Sequence, residues 1–230
     1  MNENRFKTFG EKLDLVADLW IEEPMAASEQ AVQAAEKRLQ MQFPAPLREF
    51  YLHFGQGGPV FSDRQNTLFS LEELKNYTDE DEDDDDNEDL TEEDLLALGG
   101  DLVLAEENQG VWCCRLDQET GLPYLDLGDG EREELNTSLE DTLLWLLAMN
   151  LTTDEMLCCG SWETEEGEAT QATIQRSFQM LTDDPMTVFY HPERKVLGCH
   201  VGGGAFWFLF PNEDDMDELE EETGMEFDCF

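Results

Sequence analysis

Two prolines, Pro44 and Pro46, stand between two stretches of helical periodicity, and they fix the local architecture more tightly than anything else in the chain. Before them, Ser28 can cap a helix with Glu29 in its positive first turn, and Val32, Ala35 and Leu39 recur on one face. Proline fits only the first turn of a helix, so Pro44 and Pro46 end the first segment and start another. In that second segment Leu47, Phe50, Tyr51 and Phe54 follow at i, i+3, i+4, i+7 spacing, and Gly55 closes it ahead of Gln56-Gly57-Gly58. The pattern predicts a helix, a sharp corner, an aromatic helix and then a glycine-marked exit.

The residues that carry this layout are Glu36, Leu39, Phe43-Pro44, Leu47, Phe50-Tyr51 and Gly57-Gly58. Together they resemble the SUKH superfamily, which takes in fungal cell-wall-synthesis regulators and bacterial immunity proteins of toxin systems. The family pattern usually has glycine where Gln40 stands, leucine where Phe43 stands and asparagine where Gln56 stands. The resemblance covers about residues 20 to 150. It implies an α+β fold with N-terminal helices packed on a mostly antiparallel sheet that a further helix closes. It also implies a protein that binds another protein and is not an enzyme.

The rest of the chain fits such a fold. Phe6, Phe9, Leu13, Val16, Leu19 and Trp20 predict an amphipathic first helix that ends near Pro24. After Gly58 come a short strand at 59–61, a turn, a strand around 67–69, and a capping box, Ser70 to Glu73, opening a short helix to about Tyr77. A second capping box predicts a helix over 91–98. Short apolar runs at 102–105, 111–116 and 124–127, separated by turn-rich segments, predict antiparallel strands. Ser138 to Asp141 opens a helix carrying Leu139, Leu143, Leu146 and Leu147.

Beyond it, 151–167 is Glu/Thr/Gly-rich and is expected to link. Ile174, Phe178 and Leu181 predict a helix, and 187–190, 196–201 and 205–210 predict a β-meander. Asn212 to Glu222 predicts a charged helix with Met216 and Leu219 inward. The expected organisation is one domain over 1–150 and a C-terminal helix plus β-meander over 151–230 that extends the same sheet or packs on it.

Charge is the outlying property of composition: 56 acidic against 13 basic residues, a formal net charge of -43. Such a chain repels nucleic acid and anionic membrane and attracts cationic partners. Asp79, Glu80, Asp81, Glu82, Asp83, Asp84, Asp85 and Asp86 form an unbroken acidic run that Glu88 and Asp89 extend, a solvated insertion between ordered elements. No apolar stretch approaches the roughly 20 residues of a membrane helix, and no signal-peptide core is present, so a cytoplasmic location is expected.

Catalytic and metal-binding readings carry little weight. Cys199 and His200 are neighbours that would face opposite sides of a strand, which separates a thiolate from a base. His191, across the hairpin, is too far along the ladder from His200 to share a metal, and His53 in the aromatic helix is read as a surface or half-buried histidine. Asp81, Asp83, Asp85 and Glu92 fall at positions 1, 3, 5 and 12 of a calcium loop, but Asp86 occupies the position that needs glycine. Gly202-Gly203-Gly204 has no lysine after it to complete a phosphate loop. Cys113-Cys114 and Cys158-Cys159 are read as reduced thiols, since neighbours in a strand point apart. No cofactor or metal is expected.

The functional expectation is therefore an immunity protein that neutralises a cationic, nuclease-like toxin by occlusion. The acidic run 79–89 and the C-terminal acidic segment would steer the partner, with Trp112 and Trp162 as anchors if exposed. The alternative is a regulatory scaffold or an acidic chaperone for a basic protein.

Overall fold

The structure, a computed structural model, describes residues 8–21, 24–55, 59–61, 66–76, 100–107, 109–127, 132–152, 158–163, 174–182, 186–202 and 204–229. The chain is α+β, with two antiparallel sheets and helices. It divides into two compact units, one made of Glu23–Leu139 and the other of Met1–Glu22 with Glu140–Phe230.

In the first of these units, α2 (Glu29–Arg38) and α3 (Ala45–Phe54) are the two helices on either side of the prolines. Ser28 caps α2 as expected, its hydroxyl accepting the Ala31 N–H at 3.1 Å. Pro44 is the N-cap of α3 and Gly55 its C-cap. Leu47, Phe50, Tyr51 and Phe54 are all fully buried, and Phe50 meets Tyr51 and Phe54 edge-on. The Tyr51 hydroxyl donates to the Phe69 carbonyl at 2.9 Å, which ties the aromatic helix to the chain beside the sheet. Gly55 is required by a close approach: a Cβ there would lie 2.5 Å from the Tyr51 carbonyl and 2.9 Å from Ala27 Cβ.

The sheet of this unit runs β1 (Asn66–Leu68), β3 (Leu102–Glu107), β4 (Cys113–Leu116), β5 (Pro123–Asp126), β6 (Arg132–Glu134), with β2 (Lys75–Asn76) also paired to β3. Two local expectations change here. Residues 59–61 form a 3-10 turn instead of a strand. The capping interaction of Ser70 with Glu73 forms, at 2.9 Å from the Ser70 N–H, yet only one turn follows before β2. Arg38 donates to the carbonyls of Leu71 and Leu74, removing acceptors that a longer helix would need, and Lys75 and Asn76 pair with β3. The predicted helix over 91–98 and the acidic run lie outside the described residues.

The other unit contains α1 (Phe9–Trp20), nearly all of α4 (Leu139–Thr152), α5 (Glu213–Thr223) and a second sheet. A capping box of Thr8 and Glu11 starts α1. Lys12 pairs with Asp141 at 3.4 Å, and the Trp20 indole N–H donates to the Lys195 carbonyl at 2.9 Å. The first helix thus groups with the C-terminal part of the chain, and the division falls at 22/23 and 139/140, not at 150.

The strands after residue 150 do not continue the first sheet. They form their own, in the order β12 (Asp228–Cys229), β7 (Cys158–Glu163), β11 (Ala205–Phe210), β10 (Val196–Gly202), β9 (Val188–His191), β8 (Gln179–Met180). The meander β9-β10-β11 is where periodicity puts it. The supposed linker contains β7, which pairs with β11 on one side and β12 on the other. The helix expected from Ile174 is one turn, 174–177, after which the chain enters β8.

Both faces of this sheet are covered within the unit. The Thr152 hydroxyl of α4 lies 3.7 Å from Cys199 Sγ, and the Trp145 indole N–H donates to the His200 carbonyl at 2.7 Å. Residues of the opposite face, Phe189, Phe208 and Phe210, pack with Met216 and Leu219 of α5 and with Phe178, Met225 and Phe227. Met216 and Leu219 turn inward as their spacing predicts.

Candidate partner-binding surfaces

Side-chain alternation and the register of β4, β5 and β6 place Cys113, Arg115, Tyr124, Asp126, Arg132 and Glu134 on one face of the first sheet. Arg115, only 6% exposed, pairs with Asp126 at 2.9 Å. Arg132 pairs with Asp117 at 2.9 Å and Glu134 at 2.6 Å, and its guanidinium lies 3.8 Å from the centre of the Tyr124 ring. The Tyr124 hydroxyl donates to Asp101 at 2.7 Å. Burial, and then the Asp101 carboxylate, push its ionisation far above the usual phenol range, so it remains a donor. Asp117 accepts backbone N–H bonds from Thr120 and Glu119, and these, with Arg132, hold its carboxyl below the ordinary carboxylate range. Both guanidiniums here are engaged by carboxylates of the same chain, and the carboxylates outnumber them, Asp101, Asp117, Asp126 and Glu134 against Arg115 and Arg132.

Trp112 sits just before β4, half-buried, its carbonyl accepting the Glu107 N–H at 3.1 Å. Trp162 sits in β7, also half-buried, against the aromatic core of the second sheet. Its ring is 5.7 Å from Phe206, which is 4.9 Å from His200, and β7-β11-β10 register aligns the three in one row. Neither tryptophan is a fully exposed anchor, and they lie in different compact units. Asp79, Glu80, Asp81, Glu82, Asp83, Asp84, Asp85, Asp86, Glu88 and Asp89 lie outside the described residues.

The second acidic block is α5, eight of whose eleven residues are acidic. Asn212 caps it, accepting the Asp215 N–H at 3.1 Å, and Gly224 ends it in the left-handed conformation at φ 73°. Glu213, Asp214, Asp217, Glu218, Glu221 and Glu222 are exposed. Arg194, in the β9–β10 turn, bonds to Glu218 and reaches Glu222 at 3.0 Å. The sequence alone does not show this clamp, because Arg194 is more than 20 residues away.

The thiols and imidazoles stand apart from one another. Cys113 is half-buried and Cys114 buried, neither of them in a disulfide, and burial raises the Cys114 thiol well above the ordinary range. Cys199 is fully buried against α4, whereas His200 is on the face of Phe206. His191 pairs with Val196, and Lys195 lies within the turn with a positive φ of 54°. Among the described residues no group of three or more His, Cys, Asp or Glu side chains is placed to hold a metal ion. No helix among them is long and apolar enough to cross a membrane.

Residues 26–147, more than half of the chain, match the model of the SMI1 / KNR4 family (SUKH-1). The chain belongs to this family. The SUKH-1 match spans α2, α3, the first sheet and residues 139–147 of α4, so it covers nearly all of one compact unit and continues into a helix of the other. It contains Trp112 and the acidic run but neither Trp162 nor α5. No curated protein and no solved structure matches the chain.

Proposed function

We propose that this SUKH-1 protein is a non-enzymatic, cytoplasmic immunity protein that binds a cationic toxin domain of nuclease type and occludes its substrate-binding face. The observation that supports this reading is how the few cations are used. Lys12, Arg48, Lys75, Arg115, Arg132 and Arg194 each pair with a carboxylate of the same chain. These six of the thirteen basic residues are thus paired within the chain, while acids stay outward, as on α5. A net charge of -43 then sets a long-range field that favours a basic partner and repels nucleic acid. Family membership favours a protein as that partner.

Acidic segments at 79–89 and on α5 would steer encounter, raising association rates by about 10 to 10³-fold at low salt. The test is to co-express the chain with the toxin encoded by the adjacent gene and to measure complex stoichiometry and toxin activity. A one-to-one complex that silences the toxin is the expected result. Weak binding to many basic proteins, without protection, would overturn it in favour of a chaperone. With the complex in hand, replacing Asp81, Asp83, Asp84 and Asp85 by Asn should slow association and flatten its salt dependence. An unchanged rate constant at low salt would remove the steering role.

A further inference from the structure

In a chain of net charge -43, residues 24–55 are neutral, with Glu29, Glu36 and Glu49 against Lys37, Arg38 and Arg48. The outward side of α2 departs furthest from the rest. Val32, Ala35 and Leu39 are buried, so the opposite side of the helix carries Gln30, Gln33, Ala34 and Lys37 at i, i+3, i+4, i+7 spacing, and all four are exposed. This stripe holds no carboxylate. At its margin Glu29 is bonded by Arg48 and by the Gln33 side-chain amide, and Glu36 by Arg48. Lys37 forms no ion pair with any described residue, whereas Lys12, Arg48, Arg115, Arg132 and Arg194 all do.

A second copy of the chain carries the same large charge and is repelled wherever carboxylates would face carboxylates. The α2 stripe offers two copies an approach without that cost, and a cationic partner would meet Lys37 and Arg38 there. We infer that two copies of the chain pair through α2, antiparallel about a two-fold axis that passes between Gln33 and Ala34. The stripe is self-complementary in this register. Gln30 of each copy faces Lys37 of the other, ammonium donating to amide oxygen, and Gln33 faces Ala34, whose single methyl lets the helix axes come close. The two Lys37 positions are then seven residues apart along the axis, about 10 Å at 1.5 Å per residue, which is about the screening length at 0.1 M salt. One ten-residue helix per copy is a small contact against the roughly 1,000 Å² of a stable interface, so the expected dimer is weak. Salt should strengthen it by screening the repulsion between copies, the reverse of its effect on capture of a cationic partner. The pairing stands independently of the proposed function.

Sedimentation equilibrium of the full chain, up to about 1 mM and at about 0.05, 0.15 and 0.5 M salt, tests this. The average mass should rise toward that of two chains with concentration, and rise further with salt. Ala34→Glu sets two carboxylates against each other at the axis and should weaken the dimer by about tenfold or more. Both proteins carry nearly the same charge, so non-ideality lowers their apparent mass alike and the difference between them reads association. Glutamate is a good helix former, and Lys37 and Arg38 follow position 34 at i+3 and i+4, so thermal melting of the variant should match that of the parent. Gln33→Glu, expected to weaken the dimer in the same sense, serves if the first variant is poorly folded. Glu221→Gln, on the exposed side of α5, should not weaken it.

A monomer at every concentration and salt would overturn the pairing. So would a dimer that Ala34→Glu leaves intact, since its contact would lie elsewhere, or a dimer that salt dissociates, since ion pairs of the acidic surface would then hold it. Each of these results would leave capture of a cationic toxin standing.

Discussion

The Arg48 guanidinium lies 2.7 Å from the Glu36 carboxylate, and that carboxylate also accepts the Phe43 backbone N–H at 3.0 Å. One side chain of α2 therefore closes the corner and anchors α3. Glu36→Ala would leave the Phe43 N–H without its acceptor and Arg48 without this partner, although Arg48 retains Glu29. Chemical denaturation should show a loss of about 1–3 kcal/mol. Arg48→Ala, which leaves the Phe43 bond intact, should cost less. Equal losses would show that the ion pair and not the backbone bond holds the corner.

Gln40 ends α2 with φ 51°, in the left-handed region. A residue with a Cβ is held there at a cost on the order of 1 kcal/mol, which glycine does not incur. This is the position where the SUKH pattern usually has glycine, and the backbone supplies the reason. Gln40 is exposed, so Gln40→Gly removes little packing and should raise the stability by up to about 1 kcal/mol, part of the gain being offset by a more flexible unfolded chain. Gln40→Ala should bring no gain, because alanine keeps the Cβ.

The corner was legible because proline restricts φ and a cap needs an oxygen, both local requirements that Ser28, Pro44 and Pro46 declare. The meander was legible for a similar reason, its apolar runs being long and separated by turn residues. β7 was hidden because Cys158, Cys159 and Trp162 are its only apolar residues, and its place between β11 and β12 comes from long-range pairing. The one turn at 174–177 reads as a longer helix because Phe178 and Leu181 keep helical spacing, although Gln179 and Met180 pair with β9. For the candidate surfaces, composition declared the chain's own net acidity. It could not show that Trp112 and Trp162 are half-buried, since long-range packing decides that.

His191 is buried, and its Nδ1 accepts the Arg194 backbone N–H at 3.2 Å. Its edge-on neighbour is Phe178, with ring centres 5.5 Å apart. Burial lowers its pKa below 6.5, an effect opposed by Glu222 and Glu193 and reinforced by Arg194. The unfolded chain then binds more protons than the folded one over the window between the two pKa values. This contribution to stability is fully present above about pH 6.5 and is lost as pH falls through the folded pKa. Relief of carboxylate repulsion acts in the opposite sense, so the difference between the parent and His191→Gln is the useful quantity. Denaturation from about pH 8 to about pH 5 should show the parent losing its advantage over the variant toward the acid end. A constant difference would mean that His191 does not titrate in the fold.

Arg194 faces the C-terminal half of α5, where Glu218, Glu220, Glu221 and Glu222 crowd the negative end of the helix dipole. Without a cation there, Glu218 and Glu222 repel each other at i, i+4 spacing and both oppose the dipole. Met216 and Leu219 hold the inner face of α5 in the aromatic core, so Arg194→Ala should loosen the helix without unfolding the sheet. Amide hydrogen exchange over Glu218 to Thr223 should accelerate several-fold, corresponding to about 1 kcal/mol of local stability, while β10 and β11 keep their protection. Both acceptor side chains are exposed, so salt should shrink the effect; at about 1 M salt the variant and the parent should exchange alike. Uniform acceleration through the second sheet would instead mean that the Arg194 side chain supports the β9–β10 turn as a whole and not the end of α5 alone.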